Sequence, residues 1–478
     1  MTVLYIILIL IAALLAVILL RALAFRPKAA ENREPEAVSF DGDAAVNALA
    51  ELVRCRTVSR YDKSLEDDAE FDKLIGKLPA LYPHVWERCP LTRLEDRALL
   101  FKWQGQSAGE SAVLMAHYDV VPVEEENWEK PAFDAIVEEG VMWGRGTLDT
   151  KVTFNGILSA ADALIAQGFQ PEHDIYFAFS GGEEVNGKGA VNIVDYFEKN
   201  GVELSLVLDE GGAVVENVFP GVKGRCGLIG IAEKGLMNLE LSLSGGGGHA
   251  SAPAPHTPVG KLSSACVKVE AHPFKAHYTK PVLEMFDTLG RHSSFAYRVI
   301  FSNLWCFGGL LDAICRKSGG ELNALIRTTV AFTQMDGSKA PNVIPPSASM
   351  VANLRLNPED PVDYAVEYIR QTVDDGDIKL SVGDHMEPSP ISRTDCKGWK
   401  CVSSAVADTW RGALVAPYLM IQCSDSRHYG RLSDRVYRFS AMELSGEERR
   451  TIHGNNERIR LESVKSAVEF FIRVMRQL

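Results

Sequence analysis

Two histidines and a group of carboxylates stand in turn-like contexts, most of them glycine-rich. His117 and Asp119 lie in V-L-M-A-H-Y-D-V-V-P, Asp149 in W-G-R-G-T-L-D-T-K, Glu183 and Glu184 in S-G-G-E-E-V, Asp209 in V-L-D-E-G-G, and His453 in H-G-N-N-E. Taken singly, each would pass for a hydrogen-bonded turn residue. Taken together, imidazoles and carboxylates without thiolates form a donor set for Zn²⁺, Co²⁺ or Mn²⁺, and zinc is the common choice for hydrolysis. Five candidate ligands, His117, Asp149, Glu184, Asp209 and His453, are too many for one tetrahedral site that must also admit water. They suit two metals sharing one carboxylate, an arrangement in which ions roughly 3.5–4 Å apart activate water and polarise a carbonyl together. Glu183, next to Glu184 at a turn, is placed to be the general base. Asp119 lies two residues beyond His117, hence on the same side of an extended strand, where it is expected to orient the imidazole.

Positioning these residues requires strands that end beneath them. Apolar runs at Ser111–Ala116, Asp174–Phe179 and Leu204–Leu208 read as strands, and Ala44–Val53, Thr153–Ala166 and Ser463–Met475 read as helices. Alternation of the two implies an α/β sheet covered on both faces, with its site at the C-terminal strand ends. Between residues 233 and 378 the texture changes. Leu236–Leu243 and Ser349–Leu356 alternate apolar and polar residues, as antiparallel strands with one solvated face do. The expected order is therefore a catalytic α/β domain in two parts, 39–232 and 379–478, with an α+β domain inserted at 233–378.

Ahead of the catalytic domain an unbroken apolar run, Val3–Leu20, reads as a transmembrane anchor within residues 1–25, followed by a linker at 26–38. A cleaved signal peptide is the rival reading, but no basic residue precedes the run and Arg21 interrupts the stretch where cleavage would fall. Arg21, Arg26 and Lys28 are too few to decide which side of the membrane holds the body. With 24% charged and 46% hydrophobic residues the chain is globular, and its net charge of −13 speaks against a nucleic-acid partner. The nine cysteines include no C-x-x-C pair and read as buried thiols, with a Cys396–Cys401 bridge left open.

Motif type, order and spacing from about residue 40 to the C-terminus resemble the di-zinc metallopeptidase family of glutamate carboxypeptidase, aminoacylase and succinyl-diaminopimelate desuccinylase. The W-G-R-G-T-L-D-T-K and S-D-S-R-H-Y stretches are most similar to the branch of the yeast Gly-X carboxypeptidase and the N-fatty-acyl-amino-acid hydrolase. The resemblance implies that Asp149 bridges, that His117 and Asp209 complete one zinc and Glu184 and His453 the other, and that Glu183 is the base. It further implies that His249, in G-G-G-G-H-A-S-A-P, stabilises the oxyanion across a homodimer formed through the inserted domain. Asn342 and Arg355 would bind the substrate carboxylate, and Arg427 would line the site. Cys423 and Ser424 stand where the family carries Gly and Thr, which puts the shape of that loop in question.

The implied reaction is hydrolysis of an amide or peptide bond next to a free carboxylate, on a small peptide or an N-acyl amino acid. The alternative, a catalytically silent receptor or scaffold on the same fold, would be expected to have lost ligands, and none is lost. An aromatic-rich segment from about Ala271 to Leu325 has two readings, an extra helical hairpin packed on the inserted domain, or an apolar channel or membrane-facing surface that accepts an acyl chain.

Overall fold

The computed structural model describes residues 1–27, 34–217 and 219–478; of the expected linker, residues 28–33 lie outside the described residues. The strand order of the large sheet is Leu91–Leu94, Ala98–Trp103, Ile175–Ser180, Ser111–His117, Leu204–Glu216, Val436–Leu444, Arg225–Glu233, Leu414–Met420. Its centre is parallel: Ser111–His117 runs with Ile175–Ser180 on one side and Leu204–Glu216 on the other, and Val436–Leu444 continues in the same sense. Ile175–Ser180 and Ser111–His117 are buried at every position, which explains why they read as continuous apolar runs rather than as alternation. Helices Gly42–Val53, Lys151–Ala166 and Leu461–Met475 cover one face, the last two packed on each other. Gly156 lies where they meet, with a Cβ there 3.1 Å from the Phe471 ring.

The second sheet is antiparallel, ordered Thr329–Asp336, Ser347–Leu356, Gly235–Ser244, Lys379–Met386. Gly235–Ser244 and Ser347–Leu356 alternate buried and partly exposed positions. Their inner face meets helices Pro258–Ala271 and Val362–Val373 in a core of its own. The sheet includes Lys379–Met386, beyond the expected edge at residue 378. That strand exposes most of its side chains, so it carries little of the alternation that betrays its neighbours.

The aromatic segment packs otherwise than expected. Phe286, Phe301, Leu311 and Leu325 belong to the core of the large sheet, where helix Lys280–Gly290 lies on strand Leu414–Met420; only Phe274 joins the core of the small sheet. The hairpin therefore rests mainly on the large sheet rather than on the small one. All nine cysteines are free, Cys396 facing the Tyr437 hydroxyl and Cys401 buried against the Val474 carbonyl. Helix Thr2–Ala24 is long and apolar enough to cross a membrane, a property it shares with signal sequences.

One buried ion pair fastens the crossing point of the two sheets. Glu233 ends a strand of the large sheet two residues before Gly235 begins the small one, and its Oε1 accepts from Arg438 Nε at 2.5 Å, both side chains 1% exposed. The same carboxylate accepts from the Ser424 amide and from the Ser424 and Ser426 hydroxyls. Removing one member of such a pair leaves a buried charge without its counter-ion. Glu233→Ala is therefore expected to cost about 3–5 kcal/mol, while a Glu233→Met/Arg438→Met double variant recovers most of that loss. Thermal or denaturant unfolding of the three proteins reads the difference.

Candidate active site

The parallel strands deliver the chemistry to one edge. His117 is the last residue of its strand, Glu183 and Glu184 form a short turn after Ile175–Ser180, and Asp149 precedes helix Lys151–Ala166. His453 sits in the turn after helix Gly446–Arg449, with a left-handed φ of 57°. Asp149 stands between the imidazoles: its Oδ1 is 3.0 Å from His117 Nε2 and its Oδ2 3.0 Å from His453 Nε2. His453 Nε2 also lies 3.0 Å from Glu184 Oε2. His117, Asp149 and Glu184 bring ligand atoms together closely enough to hold one ion, as do His117, Glu183 and Glu210.

Glu210 is the residue that sequence reasoning missed. Its Oε1 lies 3.2 Å from His117 Nε2, whereas the neighbouring Asp209, expected in that place, turns its Oδ2 to the Ser426 amide at 2.9 Å. The strand irregularity there explains the exchange. Gly211 has φ 141°, and a Cβ on Gly212 would fall 1.8 Å from the Leu228 carbonyl oxygen, so L-D-E-G-G departs from regular pleating where the ligand must be aimed. The signal was adjacency alone, since both acids lie in one motif.

Other carboxylates hold the cluster from behind. Asp119 accepts from the Ser59 hydroxyl at 2.6 Å and from the amides of Glu183 and Glu184 at 3.2 and 3.3 Å. His117 Nδ1 is 3.0 Å from the Asp119 carbonyl oxygen and 3.4 Å from its carboxylate. One aspartate thus fixes the imidazole and the glutamate turn together, with His117 and Ser59 holding its carboxyl below the ordinary range against the cost of burial. Glu457 does the same for Asp149: it accepts from the amides of Gly146, Leu148 and Asp149 and pairs with Arg145 at 2.6 Å. It lies four residues after His453, so it ties the loops of two candidate ligands together.

The residues fit divalent cations on charge as well as geometry. Burial, reinforced by neighbouring acids, pushes Glu183 well above the ordinary carboxylate range, raises Glu184, and takes Glu210 up to about 8. Against burial, Glu210, Asp119 and Asp149 push His117 well above an ordinary imidazole. Two imidazoles do not balance this many buried carboxylates. Glu184 Oε1 has no hydrogen-bond partner, as expected of an oxygen meant for a cation.

Beside the cluster opens a cavity of about 710 Å³. Asp149, Glu183, Glu184, Glu210 and His453 line one end, and Phe219, Met285, Leu289, Leu322 and Leu325 line an apolar wall. Arg355 reaches Cys423, which also borders the cavity, with Nη1 3.7 Å from Sγ. Arg427 points to Met386 and donates to the Ser424 carbonyl. The loop in question is thus held through Ser424, whose amide and hydroxyl bind Glu233. His249 and Asn342 are not brought to the cluster. His249 sits exposed on a two-residue strand paired with Val343–Ile344, its Nδ1 accepting from the Ser251 hydroxyl, and Asn342 is exposed next to that strand.

Residues 113–477 match the family described as Peptidase family M20/M25/M40. The chain belongs to that family. It is 34% identical to the N-fatty-acyl-amino acid synthase/hydrolase PM20D1 of Xenopus tropicalis over 90% of this chain and 85% of that protein. Its fold is shared with the M20 family metallo-carboxypeptidase Sso-CP2 from Sulfolobus solfataricus (TM-score 0.68, 18% identity, 90% of this chain and 98% of that one). It is also shared with the Bacillus subtilis YXEP protein, described as a dinuclear metal binding peptidase from the M20 family (TM-score 0.55, 13% identity, 91% and 98%). The chain is accordingly an enzyme of this metallopeptidase family.

Next to Arg355, Lys234 is buried with Nζ donating to the Ala324 and Arg327 carbonyls. Burial and the adjacent Arg355 charge push its ammonium down to about 7. A neutral amine keeps two N–H groups, enough for both carbonyls. The sign follows from proton uptake: between about 7 and the ordinary 10.5 the unfolded chain holds a proton that the folded chain has shed, so stability rises with pH across that window. Lys234→Met is expected to flatten the rise in Tm between those limits, read by melting both proteins at matched pH.

Proposed function

We propose that this M20-family enzyme hydrolyses the amide bond of N-fatty-acyl amino acids with a pair of metal ions and Glu183 as general base. The observation that carries the metal pair is Asp149, whose two oxygens face different imidazoles 3.0 Å away. On this reading Asp149, Glu184 and His453 hold one ion and Asp149, His117 and Glu210 the other, with Asp209 pinning the Ser424–Arg427 loop. Zinc is the expected metal, with cobalt and manganese also suited to the donor set. The bound pair would polarise the scissile carbonyl and lower the pKa of water.

The chain's own residues do the rest. Glu183 lies among the cluster with a carboxyl raised by burial, as suits a group that accepts a proton from attacking water and passes it to the departing nitrogen. The new C–O bond and the broken C–N bond yield a fatty acid and a free amino acid. Arg355 offers a forked guanidinium for the substrate carboxylate, and the apolar wall from Phe219 to Leu325 suits an acyl chain. That wall and the PM20D1 likeness support an acyl amino acid over a short peptide. The exposed His249 and Asn342 fit a homodimer in which each inserted segment serves the other copy's cavity. The apolar N-terminal helix supports a membrane anchor. A silent scaffold accounts for neither the buried acid cluster nor the orphaned Glu184 oxygen.

Glu183→Gln is expected to retain about two metal ions per chain while kcat on N-oleoyl-phenylalanine falls about 10²–10⁴-fold. Full activity in that variant would overturn the mechanism, and better turnover of Gly-X dipeptides than of N-oleoyl-phenylalanine would overturn the substrate. Glu210→Gln is expected to lower metal content toward one ion per chain, whereas Asp209→Asn keeps both. Elemental analysis of the purified variants separates the two assignments.

A further inference from the structure

Helices Phe295–Phe301 and Leu304–Ser318 present an outer face unlike that of a surface helix. On the longer one, Trp305, Cys306, Gly309, Leu310, Ala313 and Ile314 are all exposed, and the one charged residue before Arg316 and Lys317, Asp312, is partly buried and paired with Arg327 and Arg316. A helix lying on a soluble protein turns polar residues outward along that line. Trp305 is 59%, Leu310 54% and Ile314 49% exposed, and Phe295 and Tyr297 on the shorter helix are exposed too. The pair together meets the same length-and-composition measure as the N-terminal helix, yet it is bent by 107° at the Ser302–Asn303 break.

That break is where the N-terminal helix docks. Arg21 donates Nε and Nη2 to the Ser302 carbonyl at 3.0 and 2.9 Å, and Asn303 Nδ2 donates to the Ile18 carbonyl at 3.1 Å. Ile18, Ala22 and Phe25 bury one stripe of the helix, and Arg291 stacks over the Phe25 ring. The rest, from Val3 to Val17, carries its apolar side chains outward. The helix pair is thus fixed at the level where the apolar run gives way to Arg21 and Arg26, the depth at which a spanning helix leaves hydrocarbon for headgroups. Tryptophan and basic residues are the side chains favoured there.

We propose that the exposed face from Trp305 to Ile314 is a second membrane contact, lying in the bilayer interface beside the N-terminal helix, with lipid as its partner. The proposal rests on reading that helix as an anchor. It gives the cavity a neighbour of matching chemistry: Phe219 lines the apolar wall, and its ring packs on Phe301 of the pair with centroids 4.8 Å apart. The acyl end of the cavity is then one ring away from elements seated in lipid. An amphiphile with a long acyl chain, dissolved in the bilayer, would meet the enzyme at that side.

The full chain reconstituted in phosphatidylcholine vesicles, with and without brominated acyl chains, tests this. The emission difference between wild type and Trp305→Phe isolates one indole, and bromine is expected to quench it about twofold. Leu310→Glu/Ile314→Glu, which alters only exposed side chains, should float with vesicles as before but lose that quenching. Vesicle flotation reads the anchor separately. A chain that floats with Trp305 unquenched overturns the helix-pair contact and leaves the anchor standing. A chain that does not float overturns the anchor, and quenching of Trp305 by added brominated vesicles then decides the helix pair alone.

Discussion

The architecture is organised around buried negative charge. Asp149, Glu183, Glu184 and Glu210 converge with two imidazoles at the ends of parallel strands, and burial raises three of these carboxyls together. Desolvating several like charges in one place is among the least favourable acts in folding unless counter-charge is supplied. The protein provides too little of it from its own cations at the cluster. Arg145, Arg438 and Lys151 are all buried, but Arg145 is committed to Glu457, Arg438 to Glu233, and Lys151 to the Leu52 and Cys55 carbonyls. The deficit is what makes the cluster a receptor for divalent cations rather than a salt-bridge network.

Rigidity behind the cluster comes from a repeated device, a buried carboxylate that gathers backbone amides. Asp119 does this for the glutamate turn, Glu457 for the loop before Asp149, Asp209 for Ser426, and Glu233 for Ser424. Loops contribute few ladder hydrogen bonds, so their amides need other acceptors when buried. An ionised carboxylate is the strongest available and holds the loop in one geometry. The device also spends acids that lie beside functional ones in sequence: Asp209 next to Glu210, and Glu457 shortly after His453. A motif reading sees the cluster of acids without seeing which of them faces the cation.

That distinction marks the limit of the sequence. The strands beneath His117 and after Asp174 were legible because buried parallel strands are long apolar runs, and the second sheet because one wet face produces alternation. Asp209 and Glu210 could not be separated, since the choice depends on strand parity and Gly211 breaks that parity with a φ of 141°. His249 and Asn342 were named by resemblance, and within one chain they meet each other's strand rather than the cavity. Strand Lys379–Met386 falls just beyond the expected boundary at 378, because an edge strand with both faces largely solvated has no hydrophobic pattern to register.

The aromatic segment shows why burial of a helix cannot be assigned to a partner from composition. Phe286 and Phe301 are as compatible with the small sheet's core as with the large one's. What decides is the position of helix Lys280–Gly290 on strand Leu414–Met420, a long-range contact that no local periodicity encodes. The same helices carry a second apolar stripe that no part of the described chain covers. Single exposed apolar residues are ordinary on a protein surface, but a stripe of them running for several turns beside a membrane-length helix is not. Two apolar faces on one short helix, one toward the catalytic core and one toward the outside, are expected where a protein interior and a lipid interface lie a single helix apart. The apolar wall of the cavity then touches, through Phe219 against Phe301, the elements that would meet the membrane, so the two surfaces are neighbours built from different side chains.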